Sequence, residues 1–308
     1  MHLHIYNYTN LCYDNAIEQA AQPPKIDSKE GVPMTMPNQE SLWTDYQELL
    51  EMTRQCGFSS RIRKYRDLSI LRLLGDISLV VACDSNASNG EKPNDTHQNS
   101  YEETAVSALK VPLMEVLATG AAPIVIADNL CVEMEPSGRR IIAAMQEELR
   151  GCGLYDAVSF TGSTEDNMRT LQTGIGVTVI GLVSGASLRL GRTQRGDAVY
   201  CAGVPQSGVL ERYSEHDPSV AKISTVTRLC ALDYIHEILP VGSKGAAYEA
   251  GQLAECVGCT FAADAQPPID LATSAGSCTA VLVSLPLQAG GRLAADMDVP
   301  CFLIGRIQ

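Results

Sequence analysis

The residue types best suited to chemistry gather in Ile77–Asp95, ISLVVACDSNASNGEKPND. A run of mostly apolar, β-favouring residues, Ile77 to Cys83, ends in Asp84. A Ser/Asn/Gly loop containing Asn86 and Ser88 follows, and then Lys92 and Asp95. A buried strand that delivers a carboxylate to its end and continues into a flexible polar loop is a common way to build a site. Carboxylates, small hydroxyls and amides with one lysine suit a Mg²⁺-bound phosphate better than a core. The alternative is a plain strand followed by a solvated turn.

The pattern recurs. Ile124–Asp128, IVIAD, is a second short apolar strand ending in an aspartate. Ala157–Phe160, AVSF, is a third, followed directly by Thr161-Gly162-Ser163-Thr164-Glu165-Asp166-Asn167. If the ends of these strands converge, Asp84, Asp128 and the Glu165/Asp166 pair face one cleft. Carboxylates at close range raise one another's pKa, and a divalent cation between them removes the conflict. The competing reading is that each aspartate caps the helix after it. Pro240-Val241-Gly242-Ser243-Lys244-Gly245 opens a helix over Ala246–Val257, where backbone N–H groups and the helix dipole favour an anion. Ser274-Ala275-Gly276-Ser277 is a second small-residue loop. No GxSxG, HExxH, GxGxxG or GxxxxGK[ST] motif occurs, and the five histidines are scattered, two of them in the first four residues. With no evident base, chemistry rests on positioning, metal and electrostatics, as in phosphoryl transfer.

These residues need strands and helices to hold them. Residues 1–40 are polar and proline-containing and suit a tail or mobile arm. Ser41 caps a helix over 42–56. Arg61, Arg63, Lys64 and Arg66 form a basic run, either a solvated face or a phosphate contact. Thr104–Thr119 has helical spacing, with a possible kink at Pro112 and a stop at Gly120. Pro136 and Ser137 start another helix, and Gly176–Val183 is an uninterrupted strand. Around Ser184–Gly196 the composition turns to Gly, Ser and Arg, which suggests a domain boundary. Val199–Ala202, Thr279–Leu285 and Phe302–Ile307 are strands, and Val220–Ile238 has the spacing of a long amphipathic helix.

Composition bounds the function classes. The chain has 308 residues, 45% hydrophobic and 19% charged, enough for a sizeable core. A net charge of -13 argues against nonspecific binding to nucleic acid or anionic membranes. No apolar run approaches a membrane span, and the N-terminus lacks a signal pattern, so a cytoplasmic location is expected. The 11 cysteines mostly sit in apolar runs, Cys83, Cys131, Cys201 and Cys301 among them, which suggests buried thiols in a reducing compartment. Cys256 and Cys259 form the one close pair, weak evidence for a metal.

The succession CDSNASNGEKPND, LMEVLATGAAPIVIADN, TGSTEDN, TVIGLV and GDAVYCAG resembles the superfamily of aminoimidazole ribonucleotide synthetase, thiamine monophosphate kinase and selenophosphate synthetase over roughly residues 60–308. Within it, YRDL, EVLATGAAP, EMEPSG, PVGSKGAAYEA and DLATSAG are most similar to the α-ribazole kinase branch of cobamide salvage. The resemblance implies an α/β (α+β) two-domain fold, with an N-terminal ATP- and Mg²⁺-binding domain over 41–187 that dimerises through its sheet and a C-terminal α/β domain over 188–308. It implies Asp84 as the first metal-binding aspartate and Asp128 near another metal position. Asp67 stands where thiamine monophosphate kinases carry an Asp-Asp pair. Ser163 replaces the acidic residue of a Gly-Gly-Asp/Glu-Thr loop, so Glu165 or Asp166 would take over the metal role. Asn86, Ala87 and Ser88 stand where loop glycines are typical.

The resulting expectation is transfer of the γ-phosphoryl of ATP to a primary hydroxyl of a nucleoside-like acceptor, α-ribazole above others. Asp84 and Lys92 are the catalytic candidates, and Asp84, Asp128, Glu165 and Asp166 the metal ligands. Asp67, Asn86, Ser88, Gly162, Ser163, Thr164, Gly242, Ser243 and Lys244 are the nucleotide or acceptor contacts, with Arg63 or Lys64 as further phosphate contacts. A homodimer without nucleic-acid or membrane partners is expected. The rivals are an ATP-dependent cyclisation or dehydration on the same fold, a non-catalytic nucleotide-binding protein, and carboxylates that only cap helices.

Overall fold

The structure is a computed structural model that describes residues 39–55, 57–207, 214–215 and 217–308. All but the last two residues of the expected arm, 1–40, lie outside them. Helix α1, Gln39–Gln55, opens the described chain, so Ser41 lies inside the helix rather than at its cap. The strands β1 (Ile62–Tyr65), β2 (Leu68–Leu74) and β3 (Ile77–Ala87) follow as an antiparallel meander. Two short parallel strands, β4 (Asn89–Gly90) and β5 (His97–Gln98), shape the loop after β3. Then come α2 (Tyr101–Ala118), β6 (Ala122–Leu130), α3 (Arg139–Gly151), β7 (Ser159–Thr164) and β8 (Gly174–Ser184). The first sheet has the order β1-β2-β3-β8-β6-β7, with only β6 and β7 parallel.

Helix α2 is buried on almost every side, which is why its apolar residues run round the helix instead of forming one stripe. It starts at Ser100, whose hydroxyl accepts the Glu103 N–H at 3.2 Å, and it passes through Pro112 without ending. On one side it packs with α3 against β3 and β8. On the other it meets the second half of the molecule. One apolar core therefore runs from Val80, Ile126 and Val179 through Leu109 and Leu113 to Val226, Leu229 and Val283.

The second half comprises β9 (Ala198–Ala202), α4 (Ile223–Cys230), β10 (Glu237–Pro240), α5 (Gly245–Glu255), β11 (Phe261–Ala263), β12 (Val281–Leu285), α6 (Gly290–Asp296) and β13 (Cys301–Ile307). Its antiparallel sheet has the order β10-β12-β9-β13-β11, and a second core lies between this sheet and α5. The molecule is thus a mixed α/β fold, as the sequence suggests. The long helix expected over Val220–Ile238 is not formed. Helix α4 stops at Cys230, and Glu237–Pro240 is a fully buried strand paired with β12. Apolar residues such as Ile235, Ile238 and Leu239 satisfy either period over so short a run, and pairing with β12 decides between them.

The segment between the sheets is anchored by one carboxylate. Glu237, 1% exposed, accepts hydrogen bonds from the Gly191, Arg192 and Thr193 N–H groups at 3.1, 3.2 and 3.1 Å. The Thr193 and Tyr65 hydroxyls also donate to it, at 2.8 and 2.5 Å. A buried carboxylate is stable only with such a set of donors. The expected burial of the thiols holds for Cys201 alone of the four named. Cys83 and Cys131 are exposed and Cys301 is intermediate, because strand alternation turns Cys83 to the face of the first sheet opposite α2.

Candidate active site

Asp84 pairs with Val177 of β8, and Val177 pairs in turn with Asp128 of β6. Asp128 sits beside Gly162 of β7. Residues directly opposite one another in a sheet share a face. Val177 is buried against α2, so both aspartates point toward the helices, two strands or roughly 10 Å apart at Cα. Asp128 is 1% exposed, and neither carboxylate oxygen completes a hydrogen bond of regular geometry. Burial pushes its carboxyl up to about 7, with the Ser163 N–H pulling the other way. Asp84 is also raised, by burial first, opposed by the Ser85 N–H and reinforced by Asp67. A side chain on residue 162 would overlap Asp128 Oδ1, so glycine is what lets that carboxylate occupy its place.

The loop after β3 is built rather than slack. Asp95, 7% exposed, accepts from the Thr173 N–H and hydroxyl at 2.7 Å each and from the Lys92 N–H at 2.8 Å. Ser88 adopts a left-handed conformation and takes Gln172 and Thr96 as partners. The Lys92 ammonium pairs with Glu133, which the Ser137 hydroxyl also holds. Burial works against the charged form of Glu133, but Lys92 and Ser137 outweigh it and keep the carboxyl below the usual range. Lys92, expected as a phosphate contact, is therefore engaged with Glu133 in this structure.

Beyond the end of β3 lies a cavity of about 340 Å³. Ser85 to Ala87 and Asn89 form one wall, and Glu103 and Ser107 of α2 another. Glu215, Ser243 and the loop Ser274–Ser277 close it from the second half of the chain. The two small-residue loops are tied together by the Ala275 N–H, which donates to Gly242 O at 3.2 Å, and the Ser277 and Ser107 hydroxyls meet across the junction. Among the described residues lining the cavity there is no lysine or arginine. Hydroxyls and amides dominate, with two carboxylates and His97. Such a lining suits an uncharged, hydroxyl-rich ligand better than a bare phosphate.

A second charged group lies at the β1–β2 turn. Arg66 has φ +52, a conformation that costs a non-glycine residue about 1 kcal/mol. From there its guanidinium reaches Glu115 of α2 at 3.6 Å and Glu249 of α5 at 3.3 Å, joining the two halves of the molecule. Burial pushes Glu115 up to about 7 against the pull of Arg66, with Glu249 and Asp67 adding to the rise. Burial likewise raises Glu249. The other basic residues of the run are also engaged: Arg61 with Asp45 and Glu48, Lys64 with Ser69, and Arg63 over the Tyr65 ring.

The structure gathers some of the expected residues and separates others. Asp84 and Asp128 share one row, and Asn86 and Ser243 share the cavity. Gly162 to Thr164 lie within β7 rather than in a loop. Glu165 and Asp166 do not join Asp84 and Asp128. Glu165 caps the Asn167 and Met168 N–H groups, and Asp166 accepts from Met134 N–H and the Thr164 hydroxyl. Among the described residues no group of three or more His, Cys, Asp or Glu side chains is arranged to hold a metal ion. The α5 N-terminus is less open than expected, since the Gly245 and Ala247 N–H groups already bond Gly242 O and Leu271 O, and Lys244 lies over the Tyr248 ring. Sequence reasoning missed Glu103, Ser107, Lys110 and Glu215. The first three share the spacing of one face of α2, at residues 103, 107 and 110, and Glu215 has no local signal. No described helix is long and apolar enough to cross a membrane.

Residues 65–183 match the family model described as AIR synthase related protein, N-terminal domain. No curated protein matches the chain. Among solved structures, thiamine-monophosphate kinase from Stenotrophomonas maltophilia is similar at 19% identity and a TM-score of 0.56, over 85% of this chain and 92% of that one. Thiamine monophosphate kinase from Aquifex aeolicus follows at 18% and 0.53, over 85% and 93%. T. maritima PurL, complexed with ATP, is similar at 14% and 0.58, over 87% of this chain and 49% of that one. At these identities the likeness is one of fold, and it agrees with the mixed α/β architecture described above.

Proposed function

We propose that the protein is an ATP-dependent small-molecule kinase that transfers the γ-phosphoryl group to a hydroxyl of a nucleoside-like acceptor, with α-ribazole the acceptor to test first. The observation that carries this reading is the pairing of two core-facing carboxylates, Asp84 and Asp128, with a neighbouring cavity free of lysine and arginine among its described lining residues. Thiamine-monophosphate kinases and an ATP-bound PurL among proteins of similar fold support the choice of nucleotide.

The residues present fit Mg²⁺ in one way only. A buried carboxylate with two unsatisfied oxygens suits a cation, but no described group of three ligands exists. Mg²⁺ commonly takes one or two carboxylates and completes its shell with phosphate oxygens and water, so the fit is to an ion that arrives with a polyphosphate. Asp84 and Asp128 would hold it, and it would neutralise charge on the transferring phosphoryl group. The protein's own contribution is position. Asn86 and Ser243 orient the acceptor by hydrogen bonds, and the Asp95-pinned loop fixes the cavity wall.

The same reading includes a homodimer. Leu79, Val81, Ile180 and Leu182 lie on the sheet face away from α2 and are only partly buried in the single chain, which suits a second copy against that face. A second reading, a nucleotide-binding protein without turnover, draws support from Lys92 being neutralised by Glu133 and from Ser163 standing where related loops carry an acid. A thermal-shift screen of nucleotides separates these readings from a purely structural one. The kinase reading expects a Mg²⁺-dependent rise in Tm with ATP and a further rise with α-ribazole. No shift with any nucleotide contradicts both nucleotide readings.

A further inference from the structure

Lys110 is the largest fully buried side chain among the described residues, 1% exposed, on the same face of α2 as Glu103 and Ser107. A buried ammonium is tolerated only when paired. Its partner is Glu215, at 2.8 Å, which reaches it from the segment between β9 and α4. Glu215 also lines the cavity, with its side chain only 14% exposed. Lys110 thus fixes a carboxylate in the cavity wall. The other carboxylate there, Glu103, is an exposed residue of the first turn of α2, with the Ser100 hydroxyl at 3.1 Å. Of the two, Glu215 is the shielded one with a fixed orientation.

We propose that Glu215 is the catalytic residue that accepts the proton of the attacking acceptor hydroxyl, and that Lys110 is its positioning residue. This rests on the kinase reading above. In the step, the acceptor oxygen bonds to the γ-phosphorus of the nucleoside triphosphate. The bond from that phosphorus to the β,γ-bridging oxygen breaks, and the nucleoside diphosphate leaves with its electron pair. The hydroxyl proton passes to the Glu215 carboxylate and then to solvent. A hydroxyl nucleophile needs a proton acceptor within hydrogen-bond reach in the transition state, and a shielded carboxylate of fixed orientation in the cavity wall supplies one.

The test compares unsubstituted protein with Glu215→Gln, Lys110→Arg, Lys110→Met and Glu103→Gln, using Mg-ATP and α-ribazole and reading ADP, phosphorylated acceptor, kcat, KM and melting temperature. Glu215→Gln is expected to melt below the parent, because Lys110 then faces a neutral amide, but to remain folded at the assay temperature and to keep KM for ATP within about twofold while kcat falls on the order of 100-fold or more. Lys110→Arg is expected to retain most of kcat, and Lys110→Met to lose it. If Lys110→Met does not fold, the Glu215→Gln and Lys110→Arg pair carries the comparison. Full kcat in Glu215→Gln beside an active parent overturns this assignment alone, as does a loss confined to Glu103→Gln. No ADP from the folded parent overturns the kinase reading, and this assignment with it.

Discussion

Asp84 and Asp128 stand opposite the same residue, Val177, on the two sides of β8, and so share one row and one face of the first sheet. The chain brings them there from segments more than forty positions apart, each through a strand whose buried neighbours fix its register. A one-residue slip of either strand would turn its aspartate to the opposite face. The polar pair is therefore secured by the apolar residues around it, Val80 and Ala82 on β3 and Ile126 and Leu130 on β6.

Gly162→Ala tests that row from its far side. The added methyl would overlap Asp128 Oδ1 and contact the strand's backbone, so the carboxylate or the β6–β7 pairing must move. The expected outcome is a loss of about 2 kcal/mol or more of stability, within the range of overpacking, together with loss of the Mg-ATP thermal shift. Denaturant unfolding and a nucleotide thermal-shift assay check the two parts.

Glu115 sets a pH dependence of stability. Burial raises its carboxyl from the usual 4.5 to about 7 in the folded state. Between those values the folded chain holds a proton that the unfolded chain has released, so stability falls as pH rises through that window. Below the window both states are protonated and Glu115 contributes nothing. Above it the full cost is present, at most roughly 3 kcal/mol at 1.36 kcal/mol per unit. Glu115→Gln removes this slope. The stability of the variant relative to the parent should grow from pH 4.5 to 7 and level off above, as measured by urea unfolding at several pH values.

Arg66→Ala leaves Glu115 and Glu249 buried without their cation while the residue stays in its left-handed conformation. Removing one partner of a buried ion pair costs about 3 kcal/mol or more. Because the stranded carboxylates escape the penalty by taking up protons, the cost should be smaller at pH 5 than at pH 8. A pH-independent cost would show that Arg66 acts through packing alone. The same variant should weaken the docking of the two halves, seen as faster amide exchange in α5 than in β3.

Much of the fold was legible because its elements announce themselves locally. The strand at Ile77, the strand ending near Asp128, the run Gly176–Val183 and helix α2 are each specified by apolar period and flanking glycine or proline, and each formed within a few residues of expectation. The errors lie where a partner decides. Strand β3 continues four residues past Cys83 because Asp84 to Ala87 pair with Val177 to Gly174, a neighbour invisible from the strand itself. Strand β7 absorbs Thr161 to Thr164 for the same reason. At the site, Asp84, Asp128, Asn86 and Ser243 could be named from their local setting. Glu215 and Lys110 could not, since a charge on a loop and a lysine in a helix carry no mark of meeting. Lys92, Glu165 and Asp166 each have a nearby hydrogen-bond or ion-pair partner that the sequence does not reveal.

The most direct measurement is product analysis after incubating the folded protein with Mg-ATP and α-ribazole, separating nucleotides and acceptor by chromatography. ADP and singly phosphorylated α-ribazole should appear in equal amounts, with turnover abolished in both Asp84→Asn and Asp128→Asn. Neither product, from a protein shown by circular dichroism to be folded and by thermal shift not to bind Mg-ATP, would contradict the proposal that these two aspartates serve a nucleotide.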